Sequence, residues 1–227
     1  GSPPDTLLSA SEVLYPTWSA DGEKICFNGK SHSTGNFWSF SVRDGSVDPI
    51  YSAGILGFFG LYSPDSRWIA FQADPGPQIY VMPAVGGQPF SVSEPVLFEG
   101  ARTVSWGNDS RTLFFSGHPR PKAGMQEHVA VMDTSGAGLR VIASFDKLKD
   151  VGPTDATLSW SPDERTLAFT TLDTTIVFIN IDSGELQNVV KGKDATFSPD
   201  GREIAYEHNG ALWATALDAI DPYPLTL

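Results

Sequence analysis

Five aspartates recur along the 227-residue chain, at Asp21, Asp65, Asp109, Asp163 and Asp200, with spacings of 44, 44, 54 and 37 residues. Carboxylates that a repeat gathers on one side of a fold could ring a metal ion. Each also stands in a turn, where an Asp side chain accepts N–H groups two residues on. Because each serves its own turn, capping is the favoured role and no metal is expected. Two places later stand Arg67, Arg111, Arg165 and Arg202, with Glu23 in the first repeat. Guanidinium forks suit carboxylates and phosphates, so these could bind an anion, or they could pair with carboxylates of adjacent repeats. The histidines are His32, His118, His128 and His208. They lack the His-x-His or His-x₃-His spacing of a metal site. They read as dispersed loop residues, with a metal or catalytic cluster as the alternative. Gly-x-Ser-x-Gly, His-Glu-x-x-His, P-loop and Rossmann signatures are absent. No catalytic residue and no cofactor is expected.

Composition narrows the classes further. Lys and Arg total 15 against 27 Asp and Glu, a net charge of -12. An acidic surface repels phosphates, which argues against a nucleic-acid partner. Cys26 is the single cysteine, so neither an internal disulfide nor a cysteine zinc cage can form. No apolar run reaches the roughly 18 residues of a membrane span, so no membrane insertion is expected. Residues 1–4, Gly1-Ser2-Pro3-Pro4, read as a cloning scar and linker, leaving 5–227 as one domain.

The elements that must position these residues appear once the repeats are aligned without gaps. They are Trp18-Ser-Ala-Asp-Gly-Glu-Lys-Ile-Cys-Phe27, Tyr62-Ser-Pro-Asp-Ser-Arg-Trp-Ile-Ala-Phe71, Trp106-Gly-Asn-Asp-Ser-Arg-Thr-Leu-Phe-Phe115, Trp160-Ser-Pro-Asp-Glu-Arg-Thr-Leu-Ala-Phe169 and Phe197-Ser-Pro-Asp-Gly-Arg-Glu-Ile-Ala-Tyr206. An aromatic opens each, and apolar residues four and six places after the Asp mark a strand with one buried face. Gly22 and Gly201 permit positive φ in the turn; Ser66, Ser110 and Glu164 replace them elsewhere, so that need is read as loose. Third strands are expected at Phe37–Val42, Gln78–Met82, His128–Met132, Thr175–Ile181 and Ala211–Ala216. Outer strands are expected at Pro49–Ser52, Pro89–Val92, Leu139–Ala143 and Leu186–Val190. Four strands at about 45 residues per repeat make a propeller blade. The fold class is therefore all-β, a β-propeller of five four-stranded blades whose aromatic column is buried between neighbours.

The run aromatic-Ser-Pro-Asp-Gly-x-x-Ile-Ala-Phe, followed by Ile-Tyr-Val-Met, resembles the repeat of TolB-type (WD40-like, PD40-type) propellers across nearly the whole chain. The resemblance implies a bacterial, periplasmic or extracellular module for scaffolding or sensing. Similar repeats occur in sensor domains of membrane kinases and in gating propellers of prolyl-oligopeptidase-like hydrolases. Both Asp5–Ser9 and Pro222–Leu227 suit an outer strand at the seam. Five blades close into a ring, or they form an arc of a larger propeller; an open edge would invite a homodimer.

Variable loops between second and third strands supply the binding candidates: Asn28–Asn36, Ala73–Pro77, Ser116–Glu127, Thr171–Thr174 and Glu207–Gly210. His32, His118, His128 and His208 lie in or beside them. The longest, Gly117–Glu127, also carries Arg120 and Lys122, and its prolines lower the ordering cost of binding. The inter-blade loop Gly54–Gly60 is apolar, and its Phe58 and Phe59 either line a binding surface or pack between blades. Leu97-Phe98 has the same two readings. The function expected is a non-catalytic module that binds a protein, peptide or small-molecule ligand on this loop face. The alternative is a metal-dependent, lyase-like propeller enzyme or a hydrolase gate.

Overall fold

A computed structural model describes residues 13–31, 34–51, 56–74, 78–92, 98–99, 104–119, 126–135, 137–146, 159–171, 173–217 and 223–224. Every regular element among them is a strand, and no helix there is long and apolar enough to cross a membrane. The chain divides into two compact units, Gly1–Val92 and Ser93–Leu227.

In the first unit, β1 (Val13–Trp18), β2 (Lys24–Ser31), β3 (Thr34–Ser41) and β4 (Val47–Tyr51) form one antiparallel sheet in chain order. β5 (Leu56–Tyr62), β6 (Trp68–Asp74), β7 (Gln78–Pro83) and β8 (Phe90–Ser91) form the second. In the second unit, β9 (Phe98–Glu99) joins the side of a meander of β10 (Val104–Trp106), β11 (Thr112–Pro119), β12 (Gln126–Asp133) and β13 (Arg140–Asp146). The fourth sheet is β14 (Ser159–Trp160), β15 (Thr166–Thr170), β16 (Thr175–Asn180) and β17 (Leu186–Lys191). The fifth is β18 (Lys193–Phe197), β19 (Glu203–His208), β20 (Ala211–Ala216) and β21 (Tyr223–Pro224). Serial four-stranded antiparallel meanders of this kind are propeller blades. The C-terminal segment does supply an outer strand, pairing Trp213 with Pro224 and Ala214 with Tyr223. Asp5–Ser9 lies outside the described residues.

Within each unit, sheets stack by one rule. The face carrying the repeat's aromatic packs on the far face of the preceding sheet. Tyr62, Ile69, Phe71 and Met82 meet Cys26, Phe37 and Ile50. Trp160, Leu167, Phe169 and Ile179 meet Val129 and Ile142. Phe197, Ile204 and Tyr206 meet Ala168, Ile176 and Phe178. Burial of such side chains stabilises by roughly 1.5–3 kcal/mol each. Trp18 departs from the expected column and is 56% exposed. In the first unit the second sheet covers the opposite face of the first, so Trp18 is not enclosed as Tyr62 is.

The Asp turns explain the repeat in atoms. Ser19 Oγ donates to Asp21 Oδ1 at 2.6 Å, Glu23 N donates to the same oxygen at 3.0 Å, and Lys24 N donates to Ser19 Oγ at 2.9 Å. The same set recurs at Ser161 and Asp163, with Arg165 N and Thr166 N, and at Ser198 and Asp200, with Arg202 N and Glu203 N. In the third sheet Gly107 stands where the serine would be, and Asp109 instead takes Thr112 N at 2.8 Å and Thr112 Oγ1 at 2.7 Å. The residue after each Asp is left-handed in all five turns: Gly22 at 71°, Ser66 at 58°, Ser110 at 57°, Glu164 at 60° and Gly201 at 70°. The positive-φ requirement is therefore uniform, contrary to the reading from composition. Ser66 and Glu164 use their side chains across a sheet interface. Ser66 Oγ accepts Ala20 N at 2.9 Å, and Glu164 Oε1 accepts Asn108 N.

Candidate functional site

Each sheet has two ends. One carries the Asp turns; the other carries the turns between second and third strands and the starts of the first strands. At the Asp end the carboxylates are turn caps. Ser19 and the Glu23 N–H hold Asp21 below the usual carboxylate range, and Ser161 and the Arg165 N–H do the same for Asp163. Partial burial pushes Asp109 up, but the Thr112 N–H and hydroxyl outweigh it and its pKa is lowered. Arg67, Arg111, Arg165 and Arg202 are exposed there. Arg111 reaches Asp133 of its own sheet at 3.6 Å.

At the loop end, strands run further than periodicity suggested. The stretch Gly54–Gly60 is not wholly a loop, because β5 begins at Leu56. Gly57 and Gly60 serve a close approach. A Cβ at Gly57 would lie 2.4 Å from Phe37 Cε2, and one at Gly60 would lie 2.5 Å from Phe37 Cε1. The ring of Phe37 occupies the space both glycines leave. β5 then bulges between Phe58 and Leu61, and Phe59 takes φ 55°. β1 bulges in the same way between Leu14 and Thr17, with Tyr15 at φ 53°. The bulges bring Tyr15 and Phe59 together, with ring centroids 4.0 Å apart and tilted at 41°. They are 40% and 48% exposed, respectively. Phe59 is thus half exposed while packing on Tyr15 of the neighbouring sheet, which combines the two readings of this residue. Phe58 lies on β5, and its side chain is outside the described set.

Of the histidines, His118 is on β11 with its backbone opposite Glu99, not in a free loop. His128, on β12, is buried opposite Gly117 and Ser144. His208 ends β19, with Nε2 3.0 Å from Asn209 Nδ2 and its ring edge-on to Trp213. His32, Arg120 and Lys122 lie outside the described residues. Phe98, read as part of a loop, pairs with Pro119 through β9. Among the described residues no three His, Cys, Asp or Glu side chains converge as a metal site would require.

The fourth sheet carries a polar cluster that the repeat alignment did not single out. Asp173 Oδ2 accepts Lys191 Nζ at 2.8 Å and Thr175 Oγ1 at 3.0 Å, while Thr171 Oγ1 donates to Oδ1. The Lys191 ammonium, then the Thr171 hydroxyl, bring Asp173 down to about 2. Thr174 is left-handed at φ 58° and Thr175 N donates to Thr171 Oγ1. This is the Ser-x-Asp turn of the opposite end, rebuilt as Thr171-Leu-Asp173, and could have been found by that pattern. Tyr15 was also missed. Extending each repeat three residues upstream of its aromatic aligns Tyr15, Phe59 and Asp194, all left-handed.

No protein-family model matches the chain. Among solved structures it is similar to a putative TolB from Agrobacterium tumefaciens, at 16% identity and TM-score 0.72, over 94% of this chain and 80% of that one. It is similar to TolB from Acinetobacter baumannii at 18% identity and TM-score 0.67, over 96% of this chain and 55% of that one. An oligogalacturonate lyase in complex with manganese gives 16% identity and TM-score 0.72, over 92% of this chain and 64% of that one. This chain thus spans less than two thirds of the last two. At such identities the likeness shows the fold, which is that of a TolB-like β-propeller.

Proposed function

We propose that this chain is a non-catalytic binding propeller, extracytoplasmic in a bacterium, whose loop end docks a protein, peptide or small ligand. The Tyr15–Phe59 pair carries the reading. Two bulky aromatics stand half exposed at left-handed φ, a conformation that costs about 1–3 kcal/mol per residue and gathers at ligand clamps. The TolB likeness supports scaffolding or sensing as the setting. His208, at the corresponding end of its own sheet, and Arg120 and Lys122, through their loop, are separate candidates on the second unit.

A photo-crosslinking residue at position 59 or 208 should capture partners from a bacterial extracytoplasmic extract. The same residue at 165 or 202, on the Asp-turn end, should not. Adducts from the second pair alone would overturn the assignment. A homodimer through an open blade edge belongs to this reading; solution scattering of a compact monomer would exclude that part.

The manganese-bound lyase among the similar structures favours one rival, a metal-dependent lyase using the loop histidines. Metal analysis after manganese loading and desalting separates the two. Stoichiometric manganese that is lost on His118→Ala with His208→Ala supports the enzyme, and metal-free protein supports the binding module.

A further inference from the structure

We propose that Asn209 is a site of self-modification. Its side-chain amide is lost to attack by the following glycine, with help from Glu207 and His208, leaving aspartate or isoaspartate at the hairpin tip of the fifth sheet. This holds whatever the loop end binds.

The chain has six asparagines, followed in turn by Gly29, Phe37, Asp109, Ile181, Val189 and Gly210. Loss of the amide begins when the backbone nitrogen of the next residue attacks the asparagine Cγ. A side chain on that residue crowds the nitrogen, and glycine leaves it open. Asn28 and Asn209 alone qualify on this count. Asn28 sits mid-strand between Leu14 and Phe37, is 7% exposed, and donates from Nδ2 to Gly57 O at 2.8 Å. The ladders on both sides fix its backbone and keep nitrogen and Cγ apart. Asn209 is exposed at a two-residue tip, where His208 pairs with Ala211. Asn209 and Gly210 take φ 53° and 78°, the left-handed pair of a tight hairpin. Ring closure requires the peptide plane between them to swing, and a Cβ built on Gly210 would meet no atom within 4 Å. An exposed tip opens at a small fraction of the cost of unfolding.

Two side chains stand on the atoms that exchange protons. Glu207 Oε1 accepts the Gly210 N–H at 2.5 Å, and Lys193 Nζ, 3.2 Å from Oε2, steadies that carboxylate. His208 Nε2 lies 3.0 Å from Asn209 Nδ2, its ring edge-on to Trp213. Gly210 N bonds to Asn209 Cγ as its proton passes to Glu207. The Cγ–Nδ2 bond breaks as an imidazolium His208 supplies the proton with which Nδ2 leaves as ammonia. Solvent returns the proton from Glu207 to His208, and water opens the succinimide ring at either carbonyl. Histidine exchanges protons near neutrality, which suits it to this step. Either product adds a negative charge beside Glu207, and isoaspartate lengthens the backbone of a tip that two residues fill.

The test stores the whole chain at neutral pH and maps all six asparagines by peptide mass spectrometry, with released ammonia measured in parallel. Asn209 should convert to aspartate and isoaspartate while Asn28 stays intact. Glu207→Gln keeps an acceptor for the Gly210 N–H but removes the base. His208→Phe keeps a ring against Trp213 but removes the proton donor. Each should slow conversion roughly tenfold or more, with the melting temperature unchanged. Equal rates in wild type and both variants would leave only the ordinary lability of an Asn-Gly pair and overturn the proposal. A faster rate in Glu207→Gln would show that the carboxylate restrains the tip, which also overturns it. So would an Asn209 that stays intact in wild type, or conversion spread evenly over Asn28 and the other four.

Discussion

Replacing Gly57 with alanine probes how the first two sheets fit together. The added Cβ would stand 2.4 Å from Phe37 Cε2 and 2.7 Å from Phe71 Cδ2. Carbon atoms at ease sit about 3.5–4.0 Å apart, so the shortfall exceeds an ångström against two rings. Neither can withdraw freely, because Phe37 is 1% exposed and Phe71 fully buried. They also pack on each other, with centroids 4.8 Å apart. Gly57 φ lies outside the left-handed region, so no backbone strain contributes, and a glycine-to-alanine change in a strand would otherwise gain about 0.5–1 kcal/mol. Overpacking costs about 1–3 kcal/mol and occasionally more, and with both rings confined the upper half of that range is expected. Urea unfolding followed by tryptophan fluorescence reads this as a lower midpoint. Phe37→Leu supplies the control: paired with Gly57→Ala it should be less harmful than the two single effects added, by about 0.5–3 kcal/mol for groups in contact. A Gly57→Ala protein within about 0.5 kcal/mol of wild type, or a strictly additive pair, would refute the proposed fit.

Three further outcomes are expected. Ser161→Ala removes the hydroxyl that donates to Asp163 and accepts Thr166 N, and should cost about 1–2 kcal/mol in the same urea assay; no loss would show that the turn closes without it. Asp173 has its pKa lowered to about 2 from an unfolded value near 3.9. Its contribution is present above about pH 4 and lost as pH falls toward 2, so the melting-temperature gap between wild type and Asp173→Asn should narrow over that window; a constant gap would contradict the assignment. Burial pushes the Cys26 thiol up to about 12, so a thiol reagent should label it only after unfolding, and native labelling at neutral pH would show that the first two sheets open.

The chain's own sequence determined the blades. Five aligned turns and period-2 strands located most strands to within a few residues, because turn chemistry and one-sided burial are local properties of consecutive residues. The roles of Asp21 and Asp163 were legible for the same reason. Tertiary structure alone decided three things. Glu164 and Ser66 adopt left-handed φ while bonding the turn of the preceding sheet, a relation between residues 46 or 56 positions apart that no local pattern contains. Gly54–Gly60 read as a loop because its glycines resemble turn residues; Gly57 and Gly60 are spaces for Phe37, a ring from another sheet. Tyr15 and Phe59 come into contact only because two bulges, 44 residues apart in the chain, turn their side chains toward each other across a sheet interface.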